Sequence, residues 1–510
     1  MIYLFQIYLA TLFLFNYFDA ESVNESGSKE VLISSDELNS STNYTDNLLT
    51  ILQRNRTKTE LLIKKATEWA QNIGLFVRKR RFDAYLQEFY ETDVAPFTLF
   101  PSPFPRKFFE QAVNVQTALN LLYFRIMRDY KFLKEVYQKL INYDKSLSTA
   151  LQIIEEIHSE GIKQPLTVLF QRADYMLCEI NYEGNEKPNY ELKQIEVNGA
   201  SIGGLGFSTR TSKLHRQILS KMDLDLSNSV ENNTSTMTVE AIYQACLKLD
   251  PHDFTLRYDD KIVAVVFNQE GMLSDDPEEM EARRTIEHST AIKAPSLAAA
   301  LAHSKKVQQV LAKPGMVERF FPNPEEAPLI DAIRNTYANF WTIDEDDDNN
   351  DYTQIIQAVK KSPHKFVLKK TEYALYRNKN RIYFEQEILK RMTDFTPRER
   401  SAYILMEKLQ PTAVKNHIVK TMFDKKQDVP TIFEIVMETM FGKRKNVPPS
   451  IFEDVTPELG IFGTLLGNIV DGQVLDNAQL GYQIKTKLAN ENEGGLASGH
   501  SAYDSAYLID

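Results

Sequence analysis

Residues 192 to 198 read Leu-Lys-Gln-Ile-Glu-Val-Asn and run into Gly199-Ala200-Ser201-Ile202-Gly203-Gly204. This is a strand that must stop at a glycine turn, and it constrains the fold more than any other stretch. Residues two apart on a strand face the same way. Glu196 and Asn198 therefore project together from the strand tip, a carboxylate beside an amide oxygen. Hard cations such as Mg²⁺ accept all-oxygen ligation of this kind and keep waters and substrate phosphates as further ligands. The glycines behind the pair allow close backbone approach by a ligand. The same spacing also describes an ordinary surface turn, which is the commoner case.

Strands and helices mix along the rest of the chain. Thr167–Phe170, Asp174–Ile180, Lys261–Phe267, Phe366–Leu368, Ala402–Glu407 and Leu459–Ile484 carry strand patterns. Apolar residues at three- and four-residue spacing predict helices over Lys58–Glu88, Phe108–Ser159, Ser208–Leu226, Val239–Leu247 and Glu278–Leu311. Ala95 to Pro103 is extended and punctuated by proline. The class is α+β or α/β. The run Asp344–Asp351 is an acidic loop without the glycine and terminal glutamate of a calcium loop.

The chain has 510 residues, 43% hydrophobic and 25% charged, with a net charge of −11. Such an acidic surface repels nucleic-acid phosphates, so nucleic acid is excluded as a partner. Residues 1–20 are apolar, uncharged until Asp19, and end in the small Ala20, which reads as a secretory signal peptide. No membrane association is expected after its cleavage. Residues 21–58 turn to Ser, Asn, Thr, Glu and Asp, a composition that cannot bury enough apolar area to fold. Glycosylation sequons occur there at Asn24, Asn39, Asn43 and Asn55, and again at Asn232 and Asn233 in a polar loop. The folded body is expected over 59–510. Its two cysteines, Cys178 and Cys246, read as buried small hydrophobes. So few thiols suit a cytosolic fold carrying an export address.

Three other pieces suggest phosphate chemistry. Phe366-Val367-Leu368 delivers Lys369 to the end of a buried strand. Ala402 to Lys408 is a strand ending in an acid and a base, the kind of edge on which adenine docks by backbone hydrogen bonds, or else a plain core strand. Lys305-Lys306 follows an alanine-rich helix, where a solvated helix end is the alternative.

APFTLFPS at 95–102, QRADYM at 171–176, LKQIEVN at 192–198, SKKVQQVL at 304–311, FVLK at 366–369, YILMEK at 403–408 and ELGIFG at 458–463 stand in this order. Together they resemble eukaryotic glutathione synthetase over about residues 61–510. The resemblance implies an ATP-grasp fold and a ligase that joins γ-glutamylcysteine to glycine with ATP and Mg²⁺. It implies Glu196 and Asn198 as magnesium ligands, with Glu372 near the position of a third. It implies Arg172 on the transferring phosphoryl and the substrate carboxylate. Glu196, Lys305, Lys369, Tyr383, Met406, Glu407, Lys408, Glu458 and Lys487 would surround ATP. Ser201, Lys485, Leu496 and Ala497 would touch the substrate. A homodimer is a further expectation from the family.

The sequence departs from the family pattern. The family's glycine-triad loop after FVLK is replaced by Lys370 to Arg381, which contains no glycine. Bulky residues do not copy glycine's positive-φ turns at low cost. Gln269 and Met272 stand where the family has a substrate arginine and tyrosine, and Lys485 where it has a second arginine. Neutral Gln cannot match an arginine's bidentate grip on a carboxylate. A strand–helix–strand unit is missing between Leu247 and Lys261, so a reduced substrate-binding subdomain is expected over about 207–305. Residues 410–455 read as an insertion. Three readings follow: a working glutathione synthetase, a ligase with a changed acceptor, and a non-catalytic secreted binding protein. Export joined to this body resembles the secreted glutathione-synthetase-like effectors of plant-parasitic nematodes, with a host target as partner.

Overall fold

The computed structural model describes residues 55–83, 87–142, 144–180, 189–199, 202–249, 276–343, 352–371, 382–419, 450–492, 494 and 501–510. Helix α1 (Arg56–Asn72) starts at Asn55, whose side chain accepts from the Lys58 amide. This sequon asparagine is thus a helix cap at the edge of the body. Leu62, Ile63, Ala66 and Ala70 form the buried stripe of α1. The helix expected to reach Glu88 stops at Asn72. Gly74 takes a left-handed φ of 71°, a common way for a helix to end. Strands β1 (Phe76–Asp83) and β2 (Gln87–Val94) then pair antiparallel, from Phe76 opposite Val94 to Asp83 opposite Gln87.

The stretch 108–159 forms helices α2 (Arg106–Arg128), α3 (Tyr130–Tyr137) and α4 (Lys145–Glu160). Helix α3 packs on α2 and α4, and α2 lies against a seven-stranded sheet of order β11-β3-β14-β13-β12-β5-β6. Its strands are β3 (Phe97–Thr98), β5 (Leu166–Ile180), β6 (Asn189–Asn198), β11 (Val414–Val419), β12 (Ser450–Asn468), β13 (Val474–Leu488) and β14 (Ser501–Asp504). Because β11 pairs with both β3 and β12, part of the sheet closes into a barrel-like ring. The expected insertion over 410–455 is corrected at both ends: 414–419 and 450–455 are paired strands of this ring. Residues 420–449 lie outside the described residues, as do the acidic loop 344–351 and the β-run 261–267.

Strand alternation sorts the sheet's two faces. Leu169, Ala173, Tyr175, Leu459, Ile461, Leu465, Tyr482 and Ile484 join Phe109, Leu119, Leu122 and Tyr123 of α2 in the main core. Their neighbours Arg172, Asp174, Glu458, Gly460, Gln483, Lys485 and Lys487 point the other way. The ionic residues are therefore placed by the pattern that buries the apolar ones.

A smaller sheet has the order β7-β10-β8-β9. It comprises β7 (Phe340–Trp341), β8 (Phe366–Lys370), β9 (Ile382–Phe384) and β10 (Tyr403–Glu407). β4 (Ser102–Pro105) and β15 (Ala506–Ile509) pair in parallel. Helices α5 (Leu205–Lys221) and α6 (Thr234–Leu249) follow β6, and α7 (Pro277–Glu287), α8 (Leu297–Ala302) and α9 (Lys305–Leu311) lead to the small sheet.

His215 of α5 ties distant segments together. One ring nitrogen meets Ser505 Oγ at 2.7 Å and the other meets the Thr98 carbonyl oxygen at 2.7 Å. Asn232 is 4% exposed, and its Nδ2 donates to the Tyr482 carbonyl at 2.6 Å. That sequon asparagine is built into the core, whereas Asn233 beside it is exposed. Cys178 is buried and Cys246 half-buried, both are free thiols, and burial pushes Cys178 up to about 12. Among the described residues, no helix is long and apolar enough to cross a membrane.

His215, His303 and His417 are all buried, and burial pushes each imidazole down, His303 and His417 to about 4. In the unfolded chain they titrate near ~6.5. As pH falls below that value the unfolded state takes up protons first. Their contribution is fully present above it and is lost as pH falls toward their folded values, by up to roughly 1.4 kcal/mol per unit and per histidine. Denaturant midpoints at pH 7.5, 6 and 5 should fall in that order, and a flat series would contradict the assignment.

Candidate functional site

The site begins at the tip of β6. A β-bulge leaves Ile195 unpaired, with Asp174 opposite Glu196 and Arg172 opposite Asn198. The carboxylate and amide do project together, since Asn198 Nδ2 donates to Glu196 Oε1 at 3.1 Å. Lys305, the first residue of α9, reaches the same carboxylate, with Nζ 3.2 Å from Glu196 Oε2. Its side chain is only 13% exposed, so it is not a solvated helix end. Burial acts to raise the Glu196 carboxyl, but Lys305, Lys485 and Lys369 outweigh it and hold the group far below the usual range.

Arg172 lies beside this pair and is 7% exposed. Its Nε donates to Asp174 Oδ1 at 2.6 Å and its Nη2 to Asp174 Oδ2 at 2.8 Å. Its Nη1 donates to the Gly203 carbonyl at 2.9 Å. Burial opposes the charge, and the Asp174 carboxylate more than restores it. Three of the guanidinium's five N–H groups are thus engaged within the protein. Lys485 Nζ pairs with Glu458 and lies 3.3 Å from Asp174 Oδ2. Burial and the neighbouring Asp174 raise the Glu458 carboxyl against the pull of Lys485. Lys487, farther along the same strand, donates to the Asn492 carbonyl at 3.1 Å.

Asp174 was missed by sequence reasoning, yet it joins Arg172, Lys485 and Asn198 through one fully buried carboxylate. The signal was available: in Gln171-Arg172-Ala173-Asp174 two opposite charges two residues apart interrupt an apolar strand and must share a face. Gly460 completes the arrangement. A Cβ there would lie 2.6 Å from Asp174 Oδ1 and 2.8 Å from Arg172 Cδ. Two glycines of the turn after Asn198 serve packing as well. A Cβ on Gly199 would enter the His303 ring, and one on Gly204 would enter the Gln483 amide. Protein side chains occupy the space that a Cβ on either residue would need.

The small sheet corrects the expectations for the nucleotide side. β10 is an internal strand, paired with β8 along Tyr403–Glu407 on one edge and with β7 at Leu405 and Met406 on the other. The Glu407 amide already donates to the Asn339 carbonyl and the Lys408 amide to the Lys365 carbonyl. Glu407 Oε2 accepts from Asn339 Nδ2 at 2.9 Å, and Lys408 Nζ sits over the Phe384 ring. Pleating puts Lys369 on the same face as Val367 and Met406, which pack together. Tyr383 lies on the opposite face, with Leu368 and Leu405 in another cluster. Its ring therefore belongs to the core and does not share the Lys369 face. Ser201, Gln269, Met272, Glu372, Leu496 and Ala497 lie outside the described residues. Among the described residues, no three His, Cys, Asp or Glu side chains form a metal cluster.

What the arrangement can do follows from its charges. An ionised carboxylate and an amide meet lysines from α9, β8 and β13, a setting that accepts an anion together with a divalent cation.

Two substitutions test this construction. Asp174→Ala leaves Arg172 buried without its counter-charge and should cost about 3–5 kcal/mol, read by urea denaturation; a loss below ~1 kcal/mol would show the pair to be dispensable. Gln483 is 1% exposed, and neither its amide oxygen nor its nitrogen has a partner among the described residues. Gln483→Leu should therefore raise stability by roughly 1–3 kcal/mol, whereas a lowered midpoint would mean that the amide is satisfied in solution.

Comparison with known proteins gives one consistent answer. The family model described as eukaryotic glutathione synthase, ATP binding domain, matches residues 56–508. The Arabidopsis thaliana chloroplastic glutathione synthetase is 30% identical over 475 residues, spanning 81% of this chain and 79% of the relative. The Bos taurus glutathione synthetase is 27% identical over 505 residues, spanning 88% and 97%. Among solved structures, a glutathione synthetase-like effector from Globodera pallida, in its apo form, is 32% identical with a TM-score of 0.62, covering 88% of this chain and 97% of that one.

Proposed function

The chain belongs to the eukaryotic glutathione synthase family, with its ATP-grasp fold, and from that premise we propose that it is a secreted ATP- and Mg²⁺-using ligase whose acceptor differs from glycine. The observation that carries this reading is Lys305 Nζ 3.2 Å from the Glu196 carboxylate, with the Asn198 amide on the other oxygen of that carboxylate. Anionic oxygen and lysines at one place are what a metal–triphosphate complex requires.

The residues fit such a complex. Glu196 is held as a carboxylate, and Asn198 keeps its nitrogen on Glu196 and Asp174, leaving its oxygen without a partner among the described residues. Both are oxygen donors suited to magnesium. When bound, the ion would neutralise phosphate charge. Lys305 and Lys369 would hold the phosphates, Glu458 and Lys487 would line the nucleotide side, and Met406 would lie beneath it on the Lys369 face. In the family reaction the dipeptide carboxylate is phosphorylated, the acceptor amine attacks the acyl phosphate, and phosphate leaves. The protein's part is alignment and charge balance.

The change of acceptor is supported by the substrate side. Lys485 is engaged by Glu458 and Asp174 rather than open to a carboxylate. Arg172 is likewise spent on Asp174 and Gly203. The same occupancy favours a second reading, a non-catalytic secreted binding protein on this scaffold, and the likeness to a solved effector supports both secretion and that alternative.

Calorimetry of the purified protein with ATP and Mg²⁺, followed by phosphate release, separates the readings. We expect saturable nucleotide binding that Lys305→Met weakens at least tenfold, about 1.4 kcal/mol. Phosphate release with γ-glutamylcysteine plus glycine should be far below that with another amine acceptor. An absence of binding heat, checked by equilibrium dialysis, would remove the ligase reading. Brisk release with glycine would remove the changed acceptor.

A further inference from the structure

Asp174 does more than neutralise Arg172. Its Oδ2 also accepts from Asn198 Nδ2 at 3.0 Å, and the same nitrogen donates to Glu196 Oε1 at 3.1 Å. Both N–H groups of the Asn198 amide are thus spent on carboxylates. The orientation follows from the chemistry, because a reversed amide would set its oxygen against two anionic oxygens. Asn198 Oδ1 has no donor among the described residues and is left as the outward end of the amide.

We propose that Asp174 is a positioning residue that fixes the Asn198 amide so that its oxygen, and not its nitrogen, is offered to a divalent cation beside Glu196. With Glu196 alone below it, the amide has one anchor and a free choice of rotamer. With Asp174 added, both hydrogens are claimed and the oxygen has one direction left. The anchor is itself rigid: Arg172 binds Asp174 at both oxygens, and Gly460 leaves the room that this pair needs. An amide nitrogen turned toward a cation repels it, so loss of the anchor weakens the metal seat without touching the nucleotide lysines. This inference rests on the reading of Glu196 and Asn198 as cation ligands.

The test uses Mn²⁺ as the probe, followed by electron paramagnetic resonance on the purified protein with a saturating non-hydrolysable ATP analogue. Asp174→Asn, nearly equal in shape, should weaken Mn²⁺ at least tenfold while metal-free affinity for the analogue stays within threefold. Adding Asn198→Asp should restore Mn²⁺ binding to within threefold of the unmodified protein, because a carboxylate offers oxygen at either end and needs no orientation. A purely structural Asp174 would gain nothing from that second change. Should D174N fail to fold, the double variant decides alone: near-normal Mn²⁺ affinity upholds the proposal and a tenfold loss overturns it. Equal Mn²⁺ affinity in D174N and the unmodified protein overturns it too. If the unmodified protein takes up no Mn²⁺, the ligand assignment itself is wrong, an outcome distinct from the others, and the inference falls with it.

Discussion

Carboxylates and cations cannot sit together on a buried sheet face unless each is met by its opposite. Asp174, Glu196 and Glu458 face Arg172, Lys305 and Lys485 in contacts that leave none of the six without a counter-charge. The remaining architecture serves this balance. Helix α2 covers the apolar face of the sheet, alternation sends the ionic residues to the other, and Gly460 makes room for the most buried pair. Breaking any contact by removing one member strands a charge in low dielectric, which costs more than the contact contributes. The site is therefore charge-balanced without ligand, and a ligand that supplies charges of both signs keeps that balance.

That property bears on how such a protein meets a nucleotide. A metal ion arriving alone has to displace Lys305 from Glu196, and a polyphosphate arriving alone has to draw Lys305 away and leave Glu196 bare. Arriving together, each satisfies the partner the other releases. On the proposed reading, site and complex would exchange ion pairs, and the cost of desolvation would be shared between the two binding events.

Much of the fold could be read from the chain, for reasons that differ element by element. The strand ending in Glu196 and Asn198 was legible because period-two geometry survives any tertiary context. The three helices between 106 and 160 were legible because their apolar stripe is long. The β1–β2 hairpin was not, since Leu75 and the residues before it continue a helical spacing that only Gly74 interrupts. The internal position of β10 and the burial of the Tyr383 ring depend on pairing partners elsewhere in the sequence, Trp341 and Leu368 among them. The resemblance supplied the charged residues one at a time. It could not show that Arg172 and Lys485 share Asp174, because a partnership is a property of distance and not of residue type.

The ring of strands has a consequence for how the chain reaches this state. β3, at residues 97–98, is flanked by β11 from residues 414–419 and β14 from residues 501–504. Contacts of such sequence separation give little return until most of the chain entropy between them has been surrendered. Glu458, Lys485 and Lys487 sit on strands β12 and β13 of this ring, whereas Arg172, Asp174, Glu196 and Asn198 sit on β5 and β6, which extend the sheet beyond it. Until the ring closes, its strand edges are open to mispairing. A long-range topology of this kind leaves the molecule slow to form and, once its last seam is joined, slow to come apart.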